Sequence, residues 1–238
     1  VVSREAGVVC GLKIAAAAFK ACEPLCRVTL LARDGARVRP GQAVMAVSGG
    51  RGLLTAERTA LNFLQRMSGV ASLTRRYADR VRGTRAKVLD TRKTLPGWRA
   101  LDKYAVACGG GLNHRLGLYD AAMVKDNHYS GKSLEEGAAR LRRAFPKMPL
   151  IIECDTSDQV TRALALKPQV ILLDNMRGPR LRREISRIRA LAPRVKIEVS
   201  GGVGLDEMKA LARLGPDRIS IGRLPPRAPA LALGLDLQ

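Results

Sequence analysis

At 238 residues, 46% of them apolar and 26% charged, the chain can bury a full core and has the length of one large domain, or of one domain with a smaller companion. No apolar run approaches the roughly 18 residues needed to cross a bilayer, Val1-Val2-Ser3-Arg4-Glu5 lacks the order of a signal peptide, and five cysteines without a CxxC pair argue against a disulfide framework or a zinc site. Forty-two Lys plus Arg against 21 Asp plus Glu leave a formal charge of +21, which attracts polyanions or small anionic substrates, yet an aromatic content of 3% offers little for stacking nucleic-acid bases. The expectation is a cytoplasmic protein with reduced, mostly buried cysteines, no membrane contact and no nucleic-acid partner, with a further segment upstream of Val1.

Between residues 27 and 47, short alternating runs are punctuated by Asp34-Gly35 and Pro40-Gly41, the pattern of a small antiparallel sheet. Residues 55–82 read as a helix, with Leu61, Leu64, Met67 and Val70 spaced by three and a break expected at Ser68-Gly69. This helix links a first part, 1–82, to a second, 83–238, where the pattern changes. Apolar runs at 87–90, 121–125, 150–154, 170–174, 195–199 and 218–221 alternate with helical stretches at 99–108, 133–145, 157–166, 180–191 and 205–214. The arginines of Arg140-Leu141-Arg142-Arg143 and Arg180-Leu181-Arg182-Arg183 read as solvated outer faces. Strand then helix, repeated, means parallel strands joined by crossovers, in a barrel or a doubly wound sheet.

Every one of these strands ends in polar chemistry. The first closes on Asp90, Arg92 and Lys93, the second on Lys125, Asp126 and Asn127, and the third on Glu153 and Asp155. The fourth closes on Asp174 and Asn175, the fifth on Ser200-Gly201-Gly202 and the sixth on Gly222-Arg223. Parallel strands bring their C-terminal ends to one face, where barrels keep their chemistry. Arg92, Lys93 and Lys125, joined by His114 and Arg115 from Gly109-Gly110-Gly111-Leu112-Asn113-His114-Arg115, call for a ligand with more than one negative group. Ser200-Gly201-Gly202-Val203-Gly204, ahead of a helix starting near Leu205, suits a phosphate. Glu153 and Asp174 suit ribose hydroxyls, Mg²⁺ or a developing positive charge.

Six stretches then carry a resemblance. They are Glu57-Arg58-Thr59-Ala60-Leu61-Asn62-Phe63-Leu64, Asp90-Thr91-Arg92-Lys93-Thr94, the glycine run through Arg115, Lys125-Asp126-Asn127-His128, Leu172-Leu173-Asp174-Asn175, and Glu198-Val199-Ser200-Gly201-Gly202. Together, in order and across nearly the whole chain, they resemble the quinolinate phosphoribosyltransferase family. The resemblance implies an N-terminal open-faced α/β sandwich and a C-terminal TIM-like α/β barrel with fewer than eight strands, in a homodimer with shared active sites. It implies that quinolinate and 5-phosphoribosyl 1-pyrophosphate, with Mg²⁺, give nicotinate mononucleotide, pyrophosphate and CO₂. Arg58 of a neighbouring subunit would bind quinolinate together with Arg92, Lys93, His114, Arg115 and Lys125. Glu153 and Asp174 would handle ribose and metal, while Ser200, Gly201, Gly202 and Gly222 would take phosphate, and Lys93, Lys125, Glu153 and Asp174 would be the catalytic set. A relative using a monocarboxylate such as nicotinate is the nearest rival; a basic nucleic-acid binder is a more distant one.

The chain departs from the family pattern at Ile151, where a further Glu is common, and at Arg223-Leu224-Pro225-Pro226-Arg227, where prolines remove two backbone donors. Phosphate affinity is then expected to rest on Ser200-Gly201-Gly202 and the side chain of Arg223. Trp98 reads as packing or a lid, Tyr104 as core, and His128 as either a loop cap or a site residue.

Overall fold

The computed structural model describes residues 1–125 and 133–237. Two compact units emerge, each discontinuous in sequence: Val1–Ala78 with Lys93–Leu112 and Arg223–Gln238, and Asp79–Arg92 with Asn113–Gly222. Residues 93–112 and 223–238, which the chain-order reading assigns to the second part, thus make their contacts within the first unit.

In the first unit β1 (Val2–Ser3) pairs antiparallel with a short C-terminal strand, Leu233–Gly234. Likewise β2 (Gly7–Val8) pairs with β4 (Arg37–Val38), and β3 (Arg27–Leu30) with β5 (Met45–Ser48). Helix α1 (Leu12–Cys22) turns Leu12, Ala15 and Phe19 inward. Its N-cap, Gly11, has no capping side chain, and Asp34 Oδ1 instead accepts from the N–H groups of Gly11 at 3.0 Å and Leu12 at 3.1 Å.

The break expected at Ser68-Gly69 does not occur: α2 (Gly52–Arg80) is one helix of 29 residues. Two contacts explain the correction. Ser68 Oγ, rather than competing with its own helix, accepts from Cys10 N–H at 2.9 Å and donates to Cys10 O at 3.2 Å. A Cβ at position 69 would collide with the Pro229 carbonyl, so glycine here admits a close backbone approach. Helix α3 (Arg99–Cys108) matches its predicted bounds and lies in this unit. Trp98 stacks on Phe63, ring centroids 5.0 Å apart, which is a packing role. Tyr104 is not core: it is 47% exposed, and its hydroxyl donates to Asp34 Oδ2 at 2.8 Å.

The second unit holds β6 (Lys87–Leu89), β7 (Ala122–Val124), β8 (Leu150–Cys154), β9 (Val170–Asp174), β10 (Lys196–Ser200) and β11 (Arg218–Ser220). They form one parallel sheet in the order β6-β11-β10-β9-β8-β7. That is the cyclic order of an α/β barrel of six strands, fewer than eight as expected. Burial on both faces gives β8 and β9 their unbroken apolar runs.

The crossovers are α4 (Leu134–Ala144), α5 (Ser157–Ala165), α6 (Gly178–Leu191) and α7 (Met208–Arg213). Capping boxes of Ser133 with Glu136, and of Thr156 with Gln159, open α4 and α5. None of the described helices is long and apolar enough to cross a membrane.

The arginines of these helices are only partly the solvated faces expected. Arg140, Arg143, Arg182 and Arg183 are exposed. Arg142, however, donates to Leu166 O and to Lys167 O at the end of α5, and Arg180 donates to Asp155 O. Arg189 reaches Gly215 O at 3.1 Å beyond the end of α7. In the first unit Arg66 does the same for Pro225 O at 3.0 Å and Ala228 O at 3.2 Å. Guanidinium groups thus add hydrogen bonds to main-chain carbonyls at the ends of helices, strands and turns.

Candidate active site

Residues paired across adjacent parallel strands point to the same side of a sheet. The register pairs Met123 with Ile151 and Ile151 with Val170, and one level higher Glu153 with Leu172, Leu172 with Glu198 and Glu198 with Arg218. Above these, Asp174 pairs with Ser200. One face therefore carries the apolar cluster of Ala121, Met123, Ile151, Val170 and Leu172 and, toward the strand ends, Glu153, Asp174, Glu198 and Ser200.

The cations converge on that face. Lys125, just beyond β7, lies 2.9 Å from Glu153 Oε2, and Glu153 is 9% exposed. Arg115 takes a left-handed conformation at φ 49° and lays its guanidinium against β7, donating to Ala121 O at 3.3 Å. Burial, then the neighbouring Arg92, pushes the Arg115 guanidinium below its ordinary range, against the pull of Glu198 and Glu153. Its guanidinium is a partly buried cation and hydrogen-bond donor beside a second cation, an arrangement that suits an anion.

His114 is 8% exposed, its backbone N–H donating to Asp90 Oδ1 at 2.6 Å and its Nε2 lying 3.4 Å from Glu198 Oε2. Asp90, which opens the charged cluster after β6, is itself fully buried and braces the His114 backbone.

At the other strand ends Asp174 Oδ1 accepts from Ser200 Oγ, and Oδ2 accepts from Asn175 Nδ2 at 2.7 Å. Gly201, at φ 95°, leaves no room for a Cβ beside Asn175. With Gly202 at φ 56° the loop is irregular, and α7 begins only at Met208, later than the helix start predicted near Leu205. Gly204 N–H donates to Glu207 Oε2 at 2.9 Å, between the glycine loop and the start of α7. The cation beside this loop is Arg177, whose guanidinium donates to Gly201 O.

The second unit thus brings together Arg92, His114, Arg115, Lys125, Glu153, Asp174, Ser200, Gly201 and Gly202, with Gly222 exposed at the end of β11. Arg58, Lys93 and Arg223 are exposed and belong to the first unit. Asp126, Asn127 and His128 lie outside the described residues. Glu198, Asp90 and Arg177 escape the sequence reading as site residues, although Glu198 stands two positions before Ser200 on the same strand face.

Mg²⁺ was expected at Glu153 and Asp174. Among the described residues no three His, Cys, Asp or Glu side chains are grouped to hold an ion. Glu153 already faces an ammonium, and both Asp174 oxygens accept hydrogen bonds. This donor set does not fit a resident ion held by protein alone; it fits carboxylates that meet hydroxyls and positive charge.

The family model of the quinolinate phosphoribosyl transferase N-terminal domain matches residues 1–68, and that of the C-terminal domain matches 70–236. The nicotinate-nucleotide pyrophosphorylase [carboxylating] of Mycobacterium leprae is 43% identical over 240 residues, 99% of this chain and 84% of that protein. The solved nicotinate-nucleotide pyrophosphorylase of Ehrlichia chaffeensis superposes with a TM-score of 0.93 at 34% identity, over 100% of this chain and 86% of that one. That of Francisella tularensis gives 0.92 at 34% identity, over 97% and 82%. A six-stranded barrel whose strand ends gather cations over two carboxylates, in a chain matched from residue 1 to residue 236, belongs to the quinolinate phosphoribosyltransferase family.

Proposed function

We infer that the protein transfers the phosphoribosyl group of 5-phosphoribosyl 1-pyrophosphate to quinolinate and decarboxylates the adduct, releasing nicotinate mononucleotide, pyrophosphate and CO₂ for NAD biosynthesis. The observation that carries this reading is the gathering of Arg92, His114, Arg115 and Lys125 at the strand ends that carry Glu153 and, one level higher, the paired Asp174 and Ser200. A pyridine dicarboxylate supplies the two anionic groups that this many cations require, whereas a monocarboxylate such as nicotinate leaves part of them uncompensated.

In the chemistry, the pyridine nitrogen attacks the ribose anomeric carbon as the pyrophosphate oxygen leaves with the bonding pair. Positive charge develops on the ribose, and the carboxylates of Glu153 and Asp174 are the groups on this face that stabilise it. Cleavage of the carboxylate next to the now cationic nitrogen leaves its electron pair on the ring carbon, which then takes a proton. Lys125 and Arg115 stabilise that pair electrostatically. Ser200, Gly201 and Gly202 take phosphate, with Arg177 adding charge beside the loop. Lys93 and Gly222 keep the substrate roles that the resemblance implies, and Arg223, where the chain departs from the family pattern, adds charge for phosphate. Mg²⁺ belongs with the substrate, as the chelate of its pyrophosphate.

Assembly is part of the same reading. Leu54 is 56% exposed one helical turn before the exposed Arg58 on α2, a face suited to a second copy, through which Arg58 reaches the partner's quinolinate. An Arg58→Ala chain mixed with a Lys125→Ala chain is expected to recover activity, because each heterodimer regenerates one intact site. No recovery after heterodimers have been demonstrated would confine Arg58 to its own subunit. The direct test of the whole reading is turnover of quinolinate and phosphoribosyl pyrophosphate, with nicotinate in parallel; faster turnover of nicotinate would overturn it.

A further inference from the structure

Glu198 has no part in the chemistry above, yet it is a carboxylate with 0% exposure in the middle of β10. A buried carboxylate persists only where hydrogen bonds and positive charge compensate it. Its Oε1 accepts from Ser220 Oγ at 2.5 Å. Its Oε2 lies 3.4 Å from His114 Nε2 and 3.9 Å from Arg218 Nη1, and Arg115 feels its charge.

We propose, building on the quinolinate reading, that Glu198 is the positioning residue of His114: it fixes the imidazole so that the ring edge opposite Nε2 is offered to a substrate carboxylate. The clamp has two parts: Asp90 fixes the backbone N–H of His114, and the Glu198 carboxylate, 3.4 Å from Nε2, draws the ring edge toward β10 electrostatically. Ser220 in turn fixes the rotamer of Glu198, and its register on β11, opposite Leu89, ties the clamp to three strands of the sheet. Arg218 balances charge from the level of Glu198 itself, paired with it across β10 and β11, so the carboxylate stays compensated whether or not ligand is bound. Outer partners of this kind are what keep a recognising imidazole in one orientation.

The test is quinolinate affinity in a double-mutant cycle. Glu198→Gln keeps an acceptor for Ser220 and removes the charge; it is expected to weaken quinolinate binding about tenfold, within the range of coupling between contacting groups. The KM for phosphoribosyl pyrophosphate should stay within about twofold. In a His114→Ala background the same substitution should have no further effect, since a residue acting through His114 loses its lever. Glu198→Asp, or Ser220→Ala if the glutamine variant does not fold, should give a smaller loss in the same sense. Additive losses, or unchanged quinolinate affinity in all the folded variants, overturn the proposal. Wild-type protein that binds no quinolinate would instead sink the functional reading, so the two failures are distinct.

Discussion

One face of the six-stranded sheet has two halves built on the same backbone plan. On the β7–β9 side its lower positions are Met123, Ile151, Val170 and Leu172, packed on one another; on the β10–β11 side the register continues with Glu198, Arg218 and Ser220. Strand direction and pairing are alike, so the difference is chemical. The apolar half holds by burial and asks only for volume, so it tolerates exchange of shape. The polar half holds by reciprocal hydrogen bonds and opposite charges, each of which turns into a cost when one partner goes. The floor of the first half is therefore held by burial, and that of the second by paired polar groups.

The largest effect is expected where the halves meet the chemistry. Lys125→Ala removes the ammonium 2.9 Å from Glu153, and kcat/KM should fall by about a hundredfold or more, as for other donors aimed at developing charge. Activity within tenfold of wild type would place this cation away from the reacting atoms.

Next comes the apolar half. Leu172→Ala should cost about 2–5 kcal/mol through the cavity it leaves, while Leu172→Met should cost less than about 1.5 kcal/mol. Urea titration of both variants separates volume from specific shape, and equal losses would contradict a floor held by burial.

The smallest effect tests the polar half at its far end. Asp217, 8% exposed, accepts from Ile197 N–H at 2.8 Å and pairs with Arg189 at 2.5 Å and Arg85 at 2.9 Å. Burial alone would raise its carboxyl, but the Ile197 N–H and Arg189 outweigh it and hold the group below its ordinary value of 3.8. A depressed folded-state value means stabilisation that is fully present above the unfolded value and lost as pH falls through the folded one. Asp217→Asn should therefore cost about 1–3 kcal/mol near neutral pH, and the gap from wild type should narrow below about pH 4. A gap that does not depend on pH would assign the loss to packing.

The parallel half of the fold was plain in the sequence because its physics is local. Runs such as Leu150-Ile151-Ile152 and Val170-Ile171-Leu172-Leu173 are apolar throughout. What stayed hidden depends on distant partners. The start of α1 is capped by Asp34, 22 and 23 residues away from the N–H groups it accepts, and Gly69 leaves α2 intact because Pro229 packs on it. Strands of two residues such as β1 and β2 are too short to show a period. In the site, the charged strand ends were legible as residue types, while the roles of Asp90 and Glu198 required knowing which carboxylate is sealed from water. Arg177 was masked by the arginines that follow it.

Those arginines bear on how the composition is read. Guanidinium groups of Arg66, Arg142, Arg180 and Arg189 are joinery, bonded to main-chain carbonyls where helices, strands and turns end. Lysine at these positions would keep the formal charge of +21, yet would offer a compact point charge in place of a fork. Two proteins of equal formal charge at neutral pH would then differ in how firmly their crossovers are tied down. An isoelectric point near 10.8 is thus in part the shadow of a building material, and only the remainder is a signal to ligands.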